Sequence, residues 1–192
     1  MLHTFVVYAD DRPGVLSRVA SLFRRLKFNI ISLTVGGSER PTLARITVVL
    51  EASAEAGTRI QANLYKLENI IYVDDIAQAP AVTRELALIK VATTPQTRSR
   101  IFELAEVFRA RIVDLAPDSL MIEITGVESK IEGLLEVLSE NSGCILEICR
   151  SGKMTMRRGQ HTNSVVHAMS VGLADQPHAS ANPSEPQTIN RD

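Results

Sequence analysis

The signals for strand and helix along this chain run β-α-β-β-α-β, and then run in that order again. Thr4 to Ala9 is rich in β-branched and aromatic residues and reads as a strand, broken by Asp10-Asp11-Arg12-Pro13-Gly14. Val15, Leu16, Val19, Ala20, Leu22, Phe23 and Leu26 then recur at helical spacing, with Ser17, Arg18, Ser21, Arg24, Arg25 and Lys27 on the other face. Strands follow over Phe28 to Val35 and Leu43 to Leu50. A helix over Ala54 to Lys66 and a strand over Ile70 to Ile76 close the first unit. After Ala77-Gln78-Ala79-Pro80-Ala81 the order repeats. A strand spans Glu85 to Ala92 and a helix Gln96 to Ala110. Strands over Arg111 to Leu115 and Leu120 to Thr125 are joined by Ala116-Pro117-Asp118-Ser119, a helix spans Glu128 to Glu140, and Cys144 to Cys149 is the last strand.

Two such runs imply an α+β protein of two tandem ferredoxin-like βαββαβ units. The expected bounds are 1–77 and 84–160, with a linker at 78–83 and a C-terminal tail at 161–192. The tail is polar and aperiodic, too poor in apolar surface to offset its ordering entropy, and is expected to be disordered.

The 192 residues are 45% hydrophobic but only 4% aromatic, so the cores must be aliphatic. A formal net charge of −1 argues against nucleic acid as a partner, since phosphate binding needs a basic surplus. No apolar run reaches the roughly 20 residues a membrane span requires. The first residues lack the pattern of a signal peptide, so the expected location is the cytoplasm. Cys144 and Cys149, an odd separation apart on one strand, point to opposite faces and cannot share a metal or bridge each other.

Catalytic groupings are missing. Three of the four histidines, His161, His167 and His178, fall in the tail, leaving only His3. There is no Cys-x-x-Cys, no His-x-x-x-His, no phosphate-binding glycine loop and no nucleophile elbow, so neither a metal nor a catalytic residue is expected. The neighbouring carboxylates Asp74 and Asp75 should point apart on their strand, and Asp10 and Asp11 should be solvated in a turn.

The turn from Asp10 to Leu16 carries the most organised polarity. Pro13 suits a first helical position, and the backbone N–H groups of Gly14, Val15 and Leu16 would face an anion at the positive end of the helix dipole. Gly14 lets a carboxylate approach closely, and Asp11 offers a partner for an ammonium. A free α-amino acid carries both charges. The plainer alternative is that Pro13-Gly14 shapes the turn and Asp11 caps the helix. Asn29, where helix passes to strand, is either a residue tolerant of a left-handed bend or an amide that bonds both ends of such a zwitterion. The basic stretch with Arg150, Lys153, Arg157 and Arg158 reads as a solvated end or as a surface that docks on an acidic partner.

Asp11-Arg12-Pro13-Gly14-Val15-Leu16-Ser17-Arg18-Val19 resembles the opening of an ACT domain, a regulatory module that binds amino acids. Phe28 to Val35, Leu43 to Thr47, Arg84 to Val91, Ile112 to Leu120 and Arg150-Ser151-Gly152 resemble more narrowly the small regulatory subunit of acetohydroxyacid (acetolactate) synthase. The resemblance covers about residues 2 to 159. It implies a subunit without catalysis or cofactor of its own. Such a subunit activates the large, thiamine-diphosphate-dependent catalytic subunit and confers feedback inhibition by valine or another branched-chain amino acid. It also implies a homodimer through the ACT domains with the effector at their interface, at positions matching Asp11, Gly14 and Asn29; Val15, Leu16 and Ile30 beside them complete the candidate effector-binding set. Asp11 stands where the family commonly has asparagine; it accepts from an ammonium but donates nothing to a carboxylate. Two other readings are an ACT-type sensor for a different enzyme or regulator, and a ferredoxin-like acyl-phosphate hydrolase using Arg12 and Asn29, for which the glycine-rich anion loop is absent.

Overall fold

The computed structural model describes residues 1–141 and 145–159. The first unit comprises β1 (Leu2–Asp10), α1 (Val15–Leu26), β2 (Ile30–Gly37), β3 (Leu43–Glu51), α2 (Ala54–Leu64) and β4 (Ile70–Asp75). The second comprises β5 (Ala81–Ala92), α3 (Pro95–Val107), β6 (Arg111–Leu115), β7 (Ser119–Gly126), α4 (Glu128–Asn141) and β8 (Ile145–Arg150), followed by a short strand β9 (Met154–Arg157). The two antiparallel sheets have the orders β2-β3-β1-β4 and β6-β7-β5-β8, with β9 paired to the start of β5. Both units therefore have the expected α+β topology.

Side-chain alternation sets one face of each sheet against its two helices. Phe5, Val7 and Ala9 of β1 join Ile46, Val48 and Leu50 of β3 under Val19, Leu22 and Phe23 of α1 and Ile60 and Leu64 of α2. In the second unit Ala87, Ile89 and Val91 meet Leu120, Ile122 and Ile124 under Ile101, Leu104, Ile131, Leu134 and Leu138. Within the stripe expected on α1, Leu16 and Ala20 are exposed while Val15, Val19, Leu22 and Phe23 are buried.

Among the described residues no helix lies on the other face of the first sheet, yet Thr47 and Val49 are buried to 1% and 0% exposure. What covers it is the ribbon of β5 and β9. Its residues cross the sheet from edge to edge. The Thr34 hydroxyl of β2 donates to Lys153 O at 3.3 Å. Arg45 of β3 donates to Thr155 O, with its guanidinium 6.0 Å from the centre of the Tyr8 ring of β1. At the far edge, Arg157 donates from Nε and Nη2 to the Asp74 carboxylate at 2.7 and 2.8 Å. These bonds to Asp74 raise the pKa of Arg157 above its usual value, against the opposing effect of burial.

Two expectations are corrected here. The linker expected at 78–83 is strand from Ala81 onward, because Ala81 to Arg84 pair with Arg157 to Met154. The basic stretch is not a free solvated end: Arg150, Lys153 and Arg157 all have carboxylate partners within the chain. Asp74 and Asp75 do point apart, Asp74 to Arg157 and Asp75 to His3. Cys149 is exposed and free, whereas Cys144 and the expected disordered tail at 161–192 lie outside the described residues. Among the described residues no helix is long and apolar enough to cross a membrane.

Arg157→Ala removes two charged donors from the largely covered Asp74. The expected cost is about 1.5–3 kcal/mol, the range for hydrogen bonds to charged groups, read as a lower urea midpoint at unchanged slope.

Candidate functional site

The turn between β1 and α1 starts where Asp10 ends its strand. It is pinned from two sides: Asp11 N–H donates to Thr42 O at 2.9 Å and Asp10 N–H to Asn69 O at 2.9 Å. Asn69, itself at φ +73, donates from Nδ2 to the Asp10 carboxylate at 3.0 Å and accepts from Arg18 of α1 at 2.7 Å. Sequence reading missed this brace because Asn69 is remote in the chain. The available signal was an asparagine, a residue that tolerates a left-handed backbone, just before a strand.

Gly14 is the N-cap of α1, at φ +88, with no side-chain cap bond. Pro13 therefore precedes the cap, not the first helical position as expected, and Asp11 does not cap the helix. The Val15 N–H makes a long bond to Arg12 O at 3.4 Å, so of the three expected free donors this one is already engaged, though weakly. A Cβ on Gly14 would meet nothing within 4 Å. Glycine is needed here for its backbone angle and not to clear a neighbour, and the space above it is open. Asp11, Gly14 and Leu16 are exposed, and Val15 is buried beneath them. The positive end of α1 thus opens to solvent beside a free carboxylate.

The corresponding turn in the second unit is closed. Pro95 opens α3, and Thr94 caps it by accepting from the Thr97 N–H at 3.3 Å, while the Thr97 hydroxyl accepts from Thr94 N–H at 2.9 Å. The first-turn donors there are used internally.

Asn29 is exposed and Ile30 half-buried, but neither is near the turn in this chain. The registers Ile30–Leu50 and Leu50–His3 place them at one end of the sheet; Gly37–Ala44 and Ala44–Ala9 place the turn at the other. The twelve-residue α1 spans about 18 Å between them at roughly 1.5 Å per residue. The six residues expected to hold an effector thus form two separate groups.

β2 is an edge strand of its sheet, and Ile31, Leu33 and Val35 on it are 49%, 37% and 46% exposed. An apolar edge with unpaired backbone groups is a template for another strand. If two copies paired antiparallel through β2, the start of one strand would lie beside the end of the other. Asn29 of one copy would then approach the end of the sheet that carries the partner copy's turn.

Sequence reading also missed a buried pair. His3, stacked on Phe5, bonds through Nδ1 to the Asp75 carboxylate and ties β1 to the end of β4. Its ring lies against Gly57 of α2, where a Cβ would collide with it. This is a structural tie inside the first unit.

Comparison with known proteins bears on both units. Residues 5–72 match the family described as AHAS small subunit-like ACT domain, and residues 84–159 match the small subunit of acetolactate synthase. A protein of Archaeoglobus fulgidus named probable acetolactate synthase small subunit is 45% identical over 159 residues, covering 83% of this chain and 98% of the relative. The acetolactate synthase small subunit of Mycobacterium leprae is 45% identical over 157 residues, covering 82% of this chain and 92% of its own. The crystal structure of the acetolactate synthase small subunit from Thermotoga maritima superposes with a TM-score of 0.77 at 35% identity, covering 84% of this chain and 99% of that one. With both units matched and near-complete coverage of relatives well above 30% identity, this chain belongs to the acetolactate synthase small-subunit family.

Proposed function

We propose that this chain is a non-catalytic regulatory subunit. It binds the large catalytic subunit of acetolactate synthase, raises its activity and makes it respond to a branched-chain amino acid, valine first among them. Thiamine diphosphate serves the large subunit, and this chain needs no cofactor. The observation that carries the role is the match of both units to small-subunit families over 5–72 and 84–159. The observation that supports the site is the division of Asp11, Gly14, Val15 and Leu16 from Asn29 and Ile30, resolved by pairing two copies through β2.

In this reading the effector carboxylate sits above Gly14 at the N-terminus of α1, where backbone N–H groups and the helix dipole favour an anion. The ammonium faces the Asp11 carboxylate. Asn29 of the partner copy closes the site with an amide that donates to the carboxylate and accepts from the ammonium. The branched side chain lies toward the exposed Leu16 and the partner's Ile30. Such an apolar lining separates valine from leucine or isoleucine by only about 1–3 kcal/mol per methylene. Occupancy favours an arrangement that activates the large subunit less well, with a coupling of about 1–3 kcal/mol, or 5–150-fold in affinity. By linkage the large subunit changes valine affinity by the same factor.

Calorimetric titration of the full chain is expected to give one valine per chain, with leucine and isoleucine competing. Heat from none of the three removes the effector role, and affinity capture that recovers no large synthase subunit favours a sensor for another enzyme. Gly14→Asp puts negative charge where the carboxylate belongs and is expected to abolish both binding and valine inhibition. A mixed dimer of one Gly14→Asp chain and one Asn29→Ala chain retains one intact composite site. It is expected to bind one valine, where either homodimer binds none or binds much more weakly. A mixed dimer no better than its parents rules out a site shared between copies.

A further inference from the structure

The turn from Ser151 to Lys153, between β8 and β9, reaches out of the second unit and touches β2 of the first. Ser32 Oγ accepts from the Lys153 N–H at 2.8 Å, and the Thr34 hydroxyl lies 3.3 Å from Lys153 O and 3.5 Å from Ser151 O. Gly152 sits against both side chains at φ +79. A Cβ there would come within 2.8 Å of Thr34 Oγ1 and 2.9 Å of Ser32 Oγ, so both the backbone angle and the close approach require glycine.

The same turn is fastened firmly to the second unit. Ser151 N–H donates to Leu86 O at 2.9 Å, and its hydroxyl accepts from the Leu86 N–H at 3.0 Å. Arg150 grips Glu85 with two N–H groups at 2.9 and 2.7 Å and also reaches Glu132 of α4. Glu85, first, and Glu132 hold the Arg150 guanidinium well above its usual pKa. Lys153 Nζ bonds Glu128 at the start of α4 at 2.7 Å. A displacement of this turn therefore carries β5 and α4 with it.

On the side of the first unit, Ser32 is three residues along β2 from Asn29, about 10 Å at the usual strand rise of about 3.3 Å per residue. The joint is also not close-packed. A cleft of about 420 Å³ lies beside it, with Ile31 and Leu33 on one wall and Arg150 and Glu128 on the other. The joint is thus held by polar bonds beside open space and not by the close packing that makes a core resist displacement.

We propose that the contact of Ser32 and Thr34 with Gly152 and Lys153 is the relay by which amino-acid occupancy at the first unit reaches the second unit and the catalytic partner. The relay rests on the effector reading above. Closing the site around Asn29 shifts β2, and Ser32 and Thr34 pass that shift to a turn locked onto α4 and β5.

The test uses the full chain reconstituted with its large subunit and the double variant Ser32→Ala/Thr34→Val, which removes the hydroxyls without adding bulk. Valine binding by the variant small subunit alone and activation of the large subunit without valine are expected to stay within about twofold of wild type. Inhibition at saturating valine is expected to be largely lost, because a coupling factor near one leaves bound valine without effect on the large subunit. The factor by which the large subunit changes valine affinity should fall toward one. Gly152→Ala, which forces the contact apart from the other side, should act in the same direction. An unchanged inhibition curve with valine binding intact overturns the relay alone. Loss of valine binding in the double variant also overturns it, because the hydroxyls would then belong to the effector site. Wild-type chain that binds no branched-chain amino acid removes the effector function and the relay with it.

Discussion

A sheet that carries helices on one side leaves its other side to be covered by something else, and in the first unit that cover is the ribbon of β5 and β9. Thr47 and Val49 are buried on a face that none of the described helices covers. A buried threonine and a run of apolar side chains facing water would be costly. The ribbon meets that need with backbone contacts at β2 and β3 and with a two-pronged Arg157–Asp74 pair at β4. The chain passes from the first unit through β5 into the second, and returns through β9 to lie on the first. The joint between units is therefore part of the first unit's cover and not a simple tether.

This arrangement leaves β2 in a special position. Its outer edge is open and apolar, one face of it helps form the core, and its other face meets the Gly152 turn. Its first residues carry half of the candidate effector site. A strand is stiff along its length, so in the proposed reading one element joins the pairing edge, the effector half-site and the observed inter-unit contact. The corresponding helix start in the second unit differs: Thr94 accepts from the Thr97 N–H, whereas Gly14 offers no side-chain cap.

Much of this was legible from the chain. Periodicities of two and 3.6 located every helix and all strands but β9, and the glycine after Pro13 marked an open helix start, although the helix begins two residues later than expected, at Val15 after the Gly14 cap. What escaped was set by residues far apart in sequence. Asp75 with His3, Asn69 with Asp10, and Arg157 with Asp74 are pairs that no local pattern announces. The four-residue β9 is too short to show a period, and the basic stretch of Arg150, Lys153 and Arg157 reads as solvated charge because its carboxylate partners lie in β5, α4 and β4.

The sequence by itself determined which segments become strands and helices, that they form the same unit twice, and that the turn at Gly14 has the chemistry for a zwitterion. These follow from local spacing and backbone preference, which need no knowledge of what lies opposite. Tertiary structure alone decided that β9 covers the first sheet, that Gly152 must approach Ser32 and Thr34, and that Asn29 stands at the far end of the sheet from Gly14. Those outcomes depend on strand order and register, which bring distant residues together or hold near ones apart, and no run of neighbouring side chains encodes them.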